Sequence, residues 1–337
     1  MEPTIMSKTP LRNGNKSTND RSFYKRLAPL RLTFRRLGTV APKMTGRIAL
    51  RLFRTPHPHS TPVREERWLD SATRFEFQVA GETFAAWSWG EGPTVLLVHG
   101  WEGRGSQMGA FAQPLVEAGY PAVTFDGPAH GASTGKLSSL PQFAEAISTL
   151  VEEVGPLHGV ITHSFGSPAI ALAMRDGLKV DRLTFVAPPA DLDEYVDYFC
   201  DLLGFSDRVR AQMIDRMEHK FDLHWDEVRQ ITLLPQSGAQ LLVIHDQDDQ
   251  DSAFTNGQSV ADAWPGSRLH PTSGLGHRRI LRNKEVVAEA VEFISATATG
   301  ELLASTWEGA SPWEGASPSP TMPREAPSPT LPRHIAV

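Results

Sequence analysis

One cysteine, Cys200, stands among the 337 residues, which excludes an intramolecular disulfide framework and fits a reducing compartment. No apolar run approaches the roughly 20 residues needed to span a bilayer. The N-terminal stretch also lacks the uninterrupted apolar core and small-residue cleavage site of a secretory signal, and the expected location is the cytoplasm. Positive charge is not in excess either. Lys and Arg number 33 against 39 Asp and Glu, a net charge of −6, so nucleic acid is not expected as a partner. What remains, 40% hydrophobic and 21% charged residues, is the balance of a soluble chain long enough for one large domain or two small ones.

Three zones follow one another. Residues 1–70 form a basic arm, with fifteen Lys and Arg against five acids. Its opening, to about residue 20, is polar and aperiodic and is expected to be disordered. Further on, Met44, Ile48 and Leu52 recur at helical spacing with Lys43, Arg47, Arg51 and Arg54 on a neighbouring face. That pattern predicts a short basic amphipathic helix ended by Pro56 and Pro58, suited either to weak contact with an anionic membrane surface or to packing on the next domain. Residues 299–337 are rich in Pro, Ser and Ala and repeat Trp-Glu-Gly-Ala-Ser-Pro at Trp307 and Trp313, which predicts a disordered tail.

Between these flanks, residues 71–298 alternate short apolar runs with helical segments. An antiparallel hairpin is expected over 74–79 and 83–89, then buried strands over 95–99, 122–126, 159–163, 182–187, 240–245 and 267–271. Most gaps are long enough for a helix, and the expected class is α/β, a mostly parallel central sheet flanked by helices. The gap from 190 to 237 is longer and carries two helical patterns, which predicts a helical insertion. Tyr195, Phe199, Phe205, Met213 and Met217 within it either shape a substrate pocket as a cap or only complete the core.

Gly159-Val-Ile-Thr-His-Ser164-Phe-Gly166-Ser reads as an apolar strand, a small-residue turn centred on serine, and an Ala-rich helix. A nucleophilic serine needs such a tight corner to project its hydroxyl above the sheet. Thr162 occupies the position where glycine is usual, and a serine between strand and helix also serves as an ordinary N-cap.

Other landmarks stand in a matching order. Val95-Leu-Leu-Val-His99-Gly100-Trp101, Asp126-Gly-Pro-Ala-His130-Gly131-Ala-Ser133, Leu241-Leu-Val-Ile-His245-Asp246-Gln-Asp-Asp249 and Gly274-Leu-Gly-His277 resemble the motifs of the α/β-hydrolase superfamily, its serine esterases and lipases in particular. The resemblance covers about residues 73–294. It implies a catalytic triad with Ser164 as nucleophile, Asp249 as acid and His277 as general base, and an oxyanion hole from the backbone N–H groups of Trp101 and Phe165. Asp248 stands as the alternative acid in a loop that also holds Asp246 and Asp251. A calcium loop fails there on spacing, since Asp251 and Gly257 occupy positions that need glycine and a bidentate acid. His99, His130, His163 and His245 are expected to bond structurally around the site, and Arg278 and Arg279 either meet an anionic substrate group or stay solvated.

The expected activity is hydrolysis of an ester or related acyl bond of a small molecule, with neither cofactor nor metal. An acyltransferase using the same triad, and a non-catalytic binding or scaffold protein keeping the fold, are the alternatives.

Overall fold

The computed structural model describes residues 18–57, 59–235 and 238–296, with side chains from Leu27 onward. The tail 299–337 and most of the polar opening stretch lie outside the described residues.

Three helices precede the sheet: α1 (Thr18–Val40), α2 (Pro42–Phe53) and α3 (Val63–Leu69). The strands are β1 (Thr73–Val79), β2 (Glu82–Trp89), β3 (Thr94–Val98), β4 (Ala122–Phe125), β5 (Leu157–His163), β6 (Arg182–Val186), β7 (Gln240–Asp246) and β8 (Arg268–Thr272). They form one sheet in the order β1-β2-β4-β3-β5-β6-β7-β8. Only the hairpin edge is antiparallel, β1 with β2 and β2 with β4; the remaining pairs are parallel. Parallel neighbours need crossovers, and α4 (Ala112–Glu117), α5 (Leu140–Val154) and α6 (Gly166–Arg175) supply them among β3 to β6. Between β6 and β7 come α7 (Asp193–Leu203), α8 (Asp207–Phe221) and α9 (Trp225–Val228). Then α10 (Phe254–Ala263) joins β7 to β8, and α11 (Gly276–Arg279) and α12 (Lys284–Ser295) follow.

Because side chains alternate across a strand, β3 is apolar at every position yet feeds two cores. Leu96 and Val98 join a cluster with Phe143 of α5, Ile170 of α6 and Val260 of α10. Val95 and Leu97 join another with Leu115 of α4 and Val291 of α12.

A third cluster lies apart from the sheet. Phe34 of α1 and Ala49 and Leu50 of α2 are buried against Phe199 and Leu203 of α7, Phe205, and Val209, Met213 and Met217 of α8. The N-terminal helices and the insertion therefore share one core. Pro42 opens α2 at a position that needs no N–H donor and holds Ala41 in a non-helical conformation, φ −136°, so the two helices turn there. Gly46 lets α2 approach α8: a Cβ at that position would stand 2.6 Å from the Cβ of Gln212. The face of α2 that meets this core is Thr45, Gly46, Ala49 and Leu50. Ile48 and Leu52 flank it, and Met44 is 51% exposed, so the inward stripe is rotated from the one the apolar periodicity marks. The reason is the glycine, which brings its own face closest to the partner helix.

A chain beginning at Glu65 is expected to lose the partners of Phe199, Phe205 and Met213. Each of these loses burial worth about 1.5–3 kcal/mol, and the melting midpoint is expected to fall by about 10 °C or more. A calorimetric scan checks this; an unchanged midpoint would mean that the shared core contributes little to stability.

No helix among the described residues is long and apolar enough to cross a membrane.

Candidate active site

Four non-glycine residues with positive φ mark the C-terminal ends of adjacent parallel strands. Glu102 (φ 55°) follows β3, Ala129 (60°) follows β4, Ser164 (49°) follows β5 and Ala187 (52°) follows β6. Each such residue stores on the order of 1–2 kcal/mol, and strain of this kind gathers where backbone direction serves a site.

The corner at Ser164 is held from both sides. Its N–H donates to the Val186 carbonyl at 2.9 Å, and its own carbonyl accepts from the Ser167 N–H at 2.9 Å. Gly166 has to be glycine, because a Cβ there would stand 2.7 Å from the Val98 carbonyl oxygen. Thr162 needs no such absence. It is buried, and its Oγ1 lies 2.7 Å from Ser167 Oγ, so the threonine hydroxyl ties strand to helix across the turn.

Asp249 lies in the loop after β7 and His277 on α11, after β8. His277 Nδ1 is 2.7 Å from Asp249 Oδ2, a pair whose carboxylate is fully buried and whose imidazole is 12% exposed. With Nδ1–H donating to the carboxylate, the other ring nitrogen is left as a base. Asp249 Oδ1 accepts from the N–H groups of Asp251 and Ser252 at 2.8 and 2.9 Å, and His245 Nε2 lies 3.5 Å from Oδ2. Burial alone would push this carboxyl up; the contacts with His245 and His277 and the Ser252 N–H hold it well below the usual carboxylate range. Asp248, the other candidate acid, accepts instead from the Gly274 N–H at 2.8 Å.

His163 connects the elbow to the histidine loop. Its Nε2 donates to the His277 carbonyl at 2.9 Å, and the two rings stand 4.6 Å apart. Trp101 and Phe165 face each other edge to face at 5.4 Å. Among the described residues neither of their backbone N–H groups has an acceptor. The insertion also reaches this region: burial and the neighbouring charges of Glu194 and Asp249 raise the Tyr195 phenol of α7. By contrast Phe199, Phe205, Met213 and Met217 point into the helical core.

A family model described as "Alpha/beta hydrolase family" matches residues 95–290. The chain belongs to this family. A search of curated proteins finds no match. Solved structures of the same fold include a membrane phospholipase A described as a bacterial virulence factor, 19% identical over 68% of this chain and 87% of that one, TM-score 0.52. A putative lipase from Acinetobacter baumannii AYE is 16% identical over 71% and 98%, TM-score 0.53. An esterase from Exiguobacterium antarcticum is 16% identical over 65% and 97%, TM-score 0.50. At these identities the likeness is one of fold.

Two residues of this α/β-hydrolase to which sequence reasoning gave no role organise the site. Asp246, buried at the end of β7, accepts from the N–H groups of Asp248 (3.0 Å), Leu275 (3.0 Å) and Gly276 (2.9 Å) and from Thr272 Oγ1 (2.8 Å). Burial would raise its carboxyl, but these donors, Gly276 first, lower it. The loop that presents His277 is thus wrapped around one carboxylate. Glu102, next to Trp101, accepts from the His57 N–H at 3.2 Å and contacts His57 Nδ1 at 2.7 Å, which fastens the N-terminal segment beside the strained turn. An aspartate ending an apolar strand was the available signal for the first; none existed for the second.

His99 and His130 are interior struts. His99 Nδ1 donates to the Gly100 carbonyl and its Nε2 accepts from the Gly127 N–H; His130 Nδ1 donates to the Pro128 carbonyl and its Nε2 accepts from the Glu102 N–H. Burial lowers both, His130 to about 4, and lowers His163 to about 3, all from 6.5. The folded protein therefore keeps them neutral while the unfolded chain takes up protons below pH 6.5. Their stabilising contribution is complete above pH 6.5 and is lost as pH falls toward 3. His130 alone accounts for about 3 kcal/mol over that window. Urea unfolding at steps from pH 8 to pH 4 is expected to show this decline, flattened in His130→Asn; a flat profile in the parent protein would refute the neutral assignment. Among the described residues no group of three or more His, Cys, Asp or Glu is arranged to hold a metal ion.

Proposed function

We propose that the protein is a serine hydrolase that cleaves an ester or related acyl bond of a small molecule through an acyl-serine intermediate. The observation that carries this reading is the buried Asp249–His277 pair at 2.7 Å together with a serine held at φ 49° on a strand-to-helix corner. A serine hydroxyl is a weak nucleophile at neutral pH and needs an adjacent base, which His277 Nε2 supplies once Nδ1 is bonded to Asp249. Oγ of Ser164 attacks the acyl carbon as its proton passes to Nε2, and the imidazolium is stabilised by an aspartate that stays ionised. The carbonyl oxygen, now an oxyanion, takes the N–H groups of Trp101 and Phe165, each such donor being worth about 3 kcal/mol of the barrier. The proton then goes from His277 to the departing alkoxide, and a water activated by the same nitrogen releases the acid and restores the serine.

The esterase and lipase named among the similar structures favour a carboxylic ester as substrate. The single cysteine, buried Cys200, is in keeping with the cytoplasm. Fluorophosphonate labelling beside Ser164→Ala, followed by turnover of p-nitrophenyl esters from acetate to laurate, tests the reading. Labelling confined to the parent protein supports it. A folded parent that neither labels nor turns over any ester gives the lead to a binding protein that keeps the fold, and transfer of the acyl group to an added alcohol in preference to water identifies an acyltransferase.

A further inference from the structure

Between the segment that joins α2 to α3 and the loop bearing His277 lies a cavity of about 290 Å³. Its walls include Arg64, Glu65, Glu102, Arg104, Arg278 and Arg282, so it adjoins the residues that follow Trp101 and His277 in the chain. Four guanidinium groups meet two carboxylates there, and both carboxylates are engaged. Glu65 is 2.6 Å from Arg104 and accepts from Ser106 Oγ at 3.2 Å. Glu102 contacts His57 at 2.7 Å and His59 at 3.5 Å. Arg278 and Arg282 have no carboxylate partner among the described residues, and Arg64 reaches Glu65 only at 3.9 Å. Partial burial and the charge of Arg64 lower Arg282, and Glu65 offsets this only in part.

The most pointed observation is Arg104. It is 7% exposed and spends one terminal nitrogen on Glu65, yet its buried Nε has no hydrogen-bond partner among the described residues. A buried N–H without an acceptor costs about 1–3 kcal/mol, and an arginine fork is shaped to hold two oxygens at once.

We infer that this cavity recognises an oxyanion, a carboxylate or phosphate group, placed to seat the acidic end of a substrate whose acyl bond lies at Ser164. The substrate role rests on the serine-hydrolase reading; the anion site stands on the arginines alone. The group is either part of the ester or a free anion, and the two are separable.

The test uses the full chain and its Ser164→Ala form, which binds without turnover. Calorimetric titration with inorganic phosphate and with succinate is expected to show saturable binding to both proteins, weakened by added salt. In Arg64→Gln/Arg282→Gln, which spares the buried Arg104–Glu65 pair, affinity is expected to fall about tenfold, the size of one charge-assisted hydrogen bond. In parallel, KM for p-nitrophenyl hemisuccinate is expected to rise about tenfold in that variant while KM for p-nitrophenyl butyrate holds. Binding lost with the KM ratio shifted assigns the anion to the substrate, and binding lost with the ratio unmoved assigns a free anion; both uphold the site. No saturable binding, or binding that the variant leaves intact, overturns it. If neither ester turns over but the anion binds, the hydrolase reading falls and the site remains.

Discussion

Ser164→Ala is expected to abolish fluorophosphonate labelling and to lower kcat for p-nitrophenyl esters by about 10⁴-fold or more, with the fold and melting midpoint retained. The size follows from the way triad members act as a unit: without Oγ neither acyl transfer nor the proton relay has a starting point. On the proposed mechanism, the catalysis that survives is expected to come from the N–H groups of Trp101 and Phe165 and from substrate binding. The fold should survive because the corner is held by backbone bonds, Ser164 N–H to Val186 and Ser167 N–H to Ser164, which alanine keeps. Alanine also bears the same φ of 49° at similar strain, as Ala187 does at 52° on the neighbouring strand. Circular dichroism beside the kinetic assay checks both halves. A variant that folds and still turns over ester at the parental rate would exclude Ser164 as the nucleophile.

Asp246→Ala is expected to have the second largest effect, and on two quantities at once. Four donors converge on that carboxylate, three of them backbone N–H groups of the loops that carry Asp248 and His277. Removing it takes the acceptor from four part-buried hydrogen bonds, and at about 1 kcal/mol for each the loss of stability is expected to reach about 3 kcal/mol. The loop that holds the imidazole against Asp249 is then released. A displacement on the order of 1 Å costs about 10²-fold in rate, so kcat should fall by that factor while KM changes little. Asp246→Asn retains one acceptor oxygen but turns an amide toward the remaining donors, and it should fall between the parent and alanine. Urea unfolding and ester kinetics on the same preparations decide the matter. A parental kcat in Asp246→Ala would show that the histidine loop holds itself.

Much of this architecture is written in local patterns. The inner strands are legible because each is a short apolar run bounded by turn residues, whereas β1 shows only alternation and β8, Arg-Leu-His-Pro-Thr, has a single aliphatic residue. Thr162 shows where a local rule stops. Its size breaks the small-residue pattern, and only the 2.7 Å approach of Ser167 Oγ explains how the turn admits it. The acid loop shows the same limit. Asp246, Asp248 and Asp249 are equivalent by composition, and they part company according to what faces them: four donors, the Gly274 N–H, and His277.

The sequence by itself determined the sheet, the order in which serine, acid and histidine arrive, and the lack of any disulfide to help the core, since these rest on spacing and residue type along the chain. The tertiary structure alone decided that α1 and α2 share a core with α7 and α8, that Met44 faces solvent, and that Glu102 anchors the N-terminal segment. Those outcomes join residues more than a hundred positions apart in the first case and about 45 in the last. Which of them meet is set by the close approach of one helix to another and by which buried donors are left needing an acceptor, and neither quantity exists until the chain has folded.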